Sequence, residues 1–214
     1  MTGVRALPAP ACAVLLCLIA GYVDAIGYLD YEHVFAANMT GNTVLLAISL
    51  AEQEWWRIAP YGLTLASFLA GALMAEAVKR HGLRPAIPLL ASGVPLVILV
   101  MADVRGNSAL VLLAFGMGLQ GGSVSRFADV NVQTVVITGT ILRLAEATMF
   151  RLVPGRGDRR PAPPRLALPV FAFSWIAYAV GAGLSLGAKE LGPMKLLLPL
   201  LVLIPVAISE NRER

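Results

Sequence analysis

Charged side chains are scarce in this sequence. Asp, Glu, Lys and Arg together make up 14% of its 214 residues, against about 25% in soluble domains. That is too little charge to cover a water-facing surface, so an ordinary soluble domain is excluded. Histidine and cysteine each occur twice. No spacing of His, Cys, Asp and Glu matches a metal site. Cys12 and Cys17 stand five positions apart on different sides of a helix, which offers neither a disulfide nor a metal pair, and no compartment follows from them. No glycine-rich loop follows a strand, so a phosphate cradle is missing. No serine or cysteine nucleophile has a histidine near it in sequence. The expectation is a protein without cofactor, metal site or enzymatic activity.

Apolar length takes the place of charge. Hydrophobic residues make up 57% of the chain and the mean hydropathy is +0.74, as befits an all-α polytopic membrane protein. A crossing takes about 20 apolar residues. Runs at 11–29, 58–78, 86–102, 109–124, 166–188 and 194–208 are candidate full crossings. The net charge of +4 arises from Lys and Arg in the short loops, where such residues orient spans, so no nucleic-acid partner is implied. Arg5 followed by the run from Ala11 to Ala20 resembles a signal peptide. The run continues to Leu29 and Asp24 sits in the would-be cleavage site, so it is taken as the first span.

Two further runs differ. Residues 36–51 are interrupted by Asn38, Thr40, Gly41, Asn42 and Thr43, and residues 132–150 carry Gln133, Thr138, Gly139, Thr140, Arg143 and Glu146. An ionised pair facing lipid costs several kcal/mol, so the second run must face protein or water. The two runs also resemble each other. Thr40-Gly41-Asn42 matches Thr138-Gly139-Thr140, the preceding Gly21-Tyr22-Val23-Asp24 loosely matches Gly118-Leu119-Gln120-Gly121, and the following Gly71 matches Gly181. The chain thus divides into two membrane repeats, 1–104 and 105–214, each a helix, a Thr-Gly segment and two helices, with a basic, proline-rich loop at 151–165. Weak internal symmetry of this kind is common in transporters.

The relative orientation of the repeats depends on whether the Thr-Gly segments cross. If they dip in and return, there are six full spans plus two half-spans and the repeats are inverted. If they cross, there are eight spans and the repeats are parallel. With the N-terminus inside, the six-span arrangement leaves Arg57, Arg105, Lys189 and Lys195 outside, and gathers the remaining loop and terminal Lys and Arg inside. The eight-span arrangement puts Lys79-Arg80 and Arg84 on the wrong side. Residues 36–51 would also measure only about 24 Å as a helix, short of a hydrocarbon core of about 30 Å. The inverted arrangement is therefore preferred, with both termini cytoplasmic.

Gly21-Tyr22-Val23-Asp24-Ala25, His33-Val34-Phe35 and Asn38-Met39-Thr40-Gly41-Asn42-Thr43-Val44-Leu45-Leu46 resemble the YoaK-like (DUF1275) family of small bacterial membrane proteins. The stretch from Gly118 through Arg126 to Thr140 is similar to the family's second motif. One departure is Gly121-Gly122, where the family pattern has an Asn-Ala pair after the glutamine. The resemblance implies the bacterial inner membrane and carries no settled biochemical activity with it.

The candidate substrate-path residues are Asp24, Asn38, Thr40, Gly41, Asn42, Thr43, Gln120, Gln133, Thr138, Gly139 and Thr140. Asp24 is an acidic group inside an apolar helix, which suits a proton carrier or counter-charge; alternatively it reaches water near the helix end. The Thr-Gly segments would place two helix N-termini near mid-membrane, where free N–H groups favour anions or polar solutes; alternatively they only cap their helices. Gln120 either lines the same path or makes an interhelical hydrogen bond. Arg143 and Glu146 read as a local pair. The expected function is a small-solute transporter or channel-like permease. The alternative is a non-transporting membrane protein that binds lipid or a partner. The expected partners are the lipid bilayer and a small polar or anionic solute, with a homo-oligomer left open.

Overall fold

A computed structural model describes residues 7–124, 126–127, 130–135, 137–152 and 162–211. Arg5, most of the basic proline-rich loop and the last three residues lie outside the described residues. The chain is built of helices, in the order α1 (Ala9–Asp30), α2 (Met39–Ala51), α3 (Trp55–Arg80), α4 (Ala86–Ala91), α5 (Val94–Met101), α6 (Gly106–Ser123), α7 (Ile137–Leu152), α8 (Ala167–Gly187) and α9 (Leu198–Glu210). A 3-10 turn at Lys189–Leu197 leads into α9. A two-residue antiparallel pair, β1 (Arg126–Phe127) and β2 (Val130–Asn131), lies between α6 and α7. The sequence pattern gave no sign of this pair.

Among the described residues four stretches are long and apolar enough to cross a membrane: α1, α3, α8 and Lys189–Glu210. Of the six full crossings expected, 86–102 appears as α4 and α5, broken at Ser92-Gly93. The break fits tightly, since a Cβ on Gly93 would lie 2.6 Å from a Leu200 methyl. The run at 109–124 becomes α6, whose glycines and Gln120 dilute its hydropathy. The fold is thus an all-helical, multi-pass membrane architecture.

Two helix couples hold the bundle together. In the α1–α8 couple a Cβ on Gly21 would lie 2.0 Å from the Tyr178 carbonyl oxygen, and one on Gly181 2.0 Å from that of Leu18. In the α3–α6 couple the same reciprocal contact recurs, Gly118 against Phe68 O at 2.1 Å and Gly71 against Phe115 O at 2.2 Å. In all four cases the glycine faces the carbonyl three residues before its partner glycine. Small residues at a crossing let backbones touch, which is how helices gain dispersion energy where no hydrophobic drive exists. Helices α1 and α8 run parallel, their first turns sharing a groove (Pro10, Val14, Leu166, Pro169, Phe173). Helix α1 is the central one, with 67% of its most apolar window buried.

The short helices sit differently. Helix α2 starts beside Phe68, midway along α3, and ends at the tight turn into the start of α3. Leu45 and Leu46 of α2 pack with Tyr61 near the start of α3, with Val34 and Tyr31 just past α1. Helix α7 starts beside Tyr178, midway along α8, and at its far end Arg151 donates to the carbonyl of Arg165, just ahead of α8. With about 1.5 Å per residue, α2 measures roughly 20 Å and α7 roughly 24 Å.

Candidate functional site

The end of α1 sets up the first wall. Tyr31 breaks the helix, and Glu32 and His33 take left-handed backbone angles (φ 53° and 61°) that turn the chain back. The returning segment, 34–38, runs down along α1 past Gly27, where a Cβ would meet Val34 O at 2.6 Å. Asn42 clamps this segment by accepting from Phe35 N at 2.9 Å and donating to Phe35 O at 2.7 Å. Asn38 caps α2, its side-chain oxygen accepting from Gly41 N at 3.2 Å, which satisfies one of the orphan donors at a helix start.

Asp24 anchors the same point from the α1 side. It is 2% exposed and does not reach water. Its Oδ1 accepts from the backbone N–H groups of Ala37 (2.5 Å) and Asn38 (3.1 Å), and its Oδ2 accepts from the Tyr178 hydroxyl of α8 (2.5 Å). Charge-assisted bonds of this kind are about twice as strong as neutral ones. The carboxylate ties together α1, the lead-in to α2, and α8.

Above this anchor lies a cavity of about 260 Å³, lined by Ala37, Asn38, Met39, Thr40, Phe68, Val135, Thr138 and Tyr178. Thr40 and Thr138, the two threonines matched from sequence, therefore face one space. So do Phe68 and Tyr178, each three residues before a crossing glycine. The remaining candidates lie around it. Gly41 packs against the Phe35 ring. Thr43 donates to Met39 O, inside its own helix. Gly139 and Thr140 are in the first turn of α7, Thr140 buried, while Gln133 is exposed ahead of it. Gln120 is 1% exposed and donates across to Leu16 O of α1 at 3.1 Å, away from the cavity. Arg143 donates to the Asn131 carbonyl. Cys12 and Cys17 are buried in α1, and His33 packs edge-on against Tyr28.

Tyr178 and Phe68 were not among the sequence candidates. A signal for them existed, because each precedes one of the two aligned glycines by the same three residues. The pair also differs in chemistry: where Tyr178 meets Asp24 in one couple, Phe68 stands 3.8 Å from the position of a Cβ on Gly121 in the other. One wall is polar and carries a carboxylate; among the described residues its counterpart is apolar and carries none.

The family described as "Protein of unknown function (DUF1275)" matches residues 12–209. The chain belongs to that family. Over 149 residues it is 32% identical to the UPF0700 transmembrane protein YoaK of Bacillus subtilis (strain 168), a match covering 64% of this chain. The same match covers 66% of that relative, a little under two thirds of its length. No solved structure matches. Membership and architecture agree on a multi-pass membrane protein of a family without an assigned activity.

Proposed function

We propose that the protein is a small-solute permease of the bacterial inner membrane, built from two inverted repeats with both termini cytoplasmic. In this reading α2 and α7 are half-spans that enter from opposite faces, meet near the bilayer midplane and return. Support for the half-spans comes from their shortness against a core of about 30 Å and from where they begin and end. Helix α2 begins midway along α3 and rejoins its start beside the end of α1. Helix α7 begins midway along α8 and rejoins its start beside the beginning of α1. The reciprocal glycine crossings support the repeat. Irregular backbone at membrane depth, such as 34–38, is tolerated where protein or a water-filled cavity satisfies it.

The observation that carries the functional reading is the shared cavity. Two threonines 98 positions apart in sequence, each in the first turn of a half-helix, line one space of about 260 Å³. Helix N-termini aimed at a polar space at the midplane form the usual solute site of transporters with broken helices. Transport, rather than catalysis or lipid binding, is what this arrangement serves.

Two experiments test the proposal. Single cysteines at Glu52 and His81, both exposed in the turns flanking α3, are labelled with an impermeant thiol reagent from outside intact cells. Labelling at Glu52 and not at His81 is expected; the reverse contradicts the half-spans. The protein is then reconstituted in liposomes and assayed with a panel of small anions, amino acids and protons. Fluxes equal to those of empty vesicles across the panel would sink the permease reading. If Thr40→Ala and Thr138→Ala then lower the yield of folded protein without a selective functional effect, the lipid- or partner-binding alternative gains.

A further inference from the structure

The polar wall of the cavity has a feature the permease reading leaves unused. Tyr178 lines the cavity, yet its hydroxyl hydrogen points out of it, into the carboxylate of Asp24. Both Asp24 oxygens are engaged, one by two backbone N–H groups and the other by this hydroxyl. While Asp24 is ionised, Tyr178 therefore presents only an acceptor oxygen to the cavity, backed by a negative charge.

Resting on the permease reading, we propose that Tyr178 and Asp24 form a proton-reading relay that makes the cavity receptive to an anionic solute. A proton arriving from cavity water binds the Tyr178 oxygen as the phenolic hydrogen passes to Oδ2 of Asp24. One O–H bond of Tyr178 breaks and another forms, Asp24 becomes a neutral acid, and the tyrosine ends as it began. Its new hydrogen now points into the cavity. The wall has exchanged an acceptor beside a charge for a donor beside a neutral group. A solute with an acceptor head, a carboxylate or a similar oxyanion, is disfavoured before the proton arrives and favoured after it. Proton and anion thus enter together.

Among the described residues the surroundings suit a relay with one titrating centre. From α8 Asp24 faces Tyr178, and from the α1–α2 lead-in it faces backbone N–H groups. On the α6 side the polar group is Gln120, held by Leu16 two turns away. Past the end of α8 the ammonium of Lys195 is bound to Asp30 at 2.6 Å, and its carbonyl accepts from Tyr22. Helix α9 meets the far end of α1, where Ser209 accepts from Leu7 N, and β1 brings the buried Phe127. Cys17 lies two turns below on α1 itself. Among the described residues lining the cavity, Tyr178 alone carries an ionisable side chain. Among the described residues the counterpart wall, with Phe68 and Gly121, offers no such pair, so the proton is read on the Tyr178 side.

The test places a cysteine in the cavity at Thr40 and keeps Cys12 and Cys17, which are buried. A sulfonate-bearing methanethiosulfonate and neutral methyl methanethiosulfonate are reacted with the full-length protein in liposomes between about pH 5 and pH 8. The ratio of the two rates cancels the ionisation of the thiol. The ratio is expected to rise about tenfold toward low pH, on the order of the effect of removing one nearby charge, and to be flat in Tyr178→Phe and in Asp24→Asn. Tyr178→Phe keeps the ring, so the test survives if Asp24→Asn folds poorly. An infrared carboxylic-acid band that appears at low pH, vanishes in Asp24→Asn and shifts in Tyr178→Phe is the second readout. A pH-independent ratio, a dependence that persists in Tyr178→Phe, or no titrating band overturns the relay while leaving a reactive, open cavity and the permease reading intact. If neither reagent reacts at any pH, the cavity is closed and both readings fall.

Discussion

Gly181 and Gly183 stand two positions apart on α8, and their substitution by alanine should have opposite effects. A Cβ on Gly181 would lie 2.0 Å from the Leu18 carbonyl oxygen, whereas nothing lies within 4 Å of one on Gly183. Backbone, not a flexible side-chain tip, is what the Gly181 methyl meets. To reach an ordinary contact of about 3.4 Å, α1 and α8 must separate by roughly 1.4 Å along the crossing, beyond the range over which dispersion contacts hold. Overpacking of this kind costs about 1–3 kcal/mol. Gly183→Ala meets no obstacle and gains up to about 1 kcal/mol of helix propensity. The two single variants should therefore differ by about 3 kcal/mol, roughly two orders of magnitude in the unfolding equilibrium. Equilibrium unfolding in mixed micelles by graded addition of SDS, followed by tryptophan fluorescence, measures the difference. Gly71→Ala, at the equivalent place in the α3–α6 couple, where a Cβ would lie 2.2 Å from the Phe115 carbonyl oxygen, should behave like Gly181→Ala. Stabilities of Gly181→Ala and Gly183→Ala within about 0.5 kcal/mol of each other would refute the crossing as the source of the bundle's strength.

Three further outcomes are expected. Cysteines at Thr40 and Thr138 together should be joined by a short bifunctional thiol reagent, with an intramolecular band shift on a gel, because both line one cavity; absence of the cross-link in a folded double variant would separate the starts of α2 and α7. Asp24→Leu should cost at least about 3 kcal/mol in the same unfolding assay, since it leaves two N–H groups and a hydroxyl without their acceptor at about 1–3 kcal/mol each, and Asp24→Asn, which keeps one acceptor oxygen, should cost clearly less. Lys195→Met should cost about 1 kcal/mol or less, with the loss shrinking at high salt. Its 2.6 Å partner Asp30 is a third exposed, and partly solvated pairs are weak and screened.

Much of the frame was legible in the residues because helices and their contact glycines leave local marks. The polar interruptions at Asn38 to Thr43 and at Gln133 to Thr140 marked two short helices, and the crossing glycines fall on positions already matched between the halves, Gly21 with Gly118 and Gly71 with Gly181. Which helix each glycine would meet was not legible. Tyr178 and Asp24 lie 154 positions apart, and no local pattern announces a contact between α1 and α8. Gln120 shows how a small offset misleads. Aligned on the glycines, the counterpart of Asp24 is Gly121, and one residue of helix turns a side chain by about 100°. Gln120 accordingly points at Leu16 and leaves the cavity to its neighbours. The break at Ser92-Gly93 depends on Leu200 and Leu203 filling the gap, which no window of sequence around the glycine contains.

The dovetailed couples have a bearing on how the chain is made. Helix α1 finds its closest companion in α8, and α3 in α6, so each couple draws one member from either half of the polypeptide. Helix α1 must wait in the bilayer, its glycine face uncovered, until more than 140 further residues have been synthesised. Assembly is therefore concluded late: the α3–α6 couple can close once Ser123 is made, the α1–α8 couple only after α8 follows. Two separately expressed halves should restore a complete bundle only when both are present.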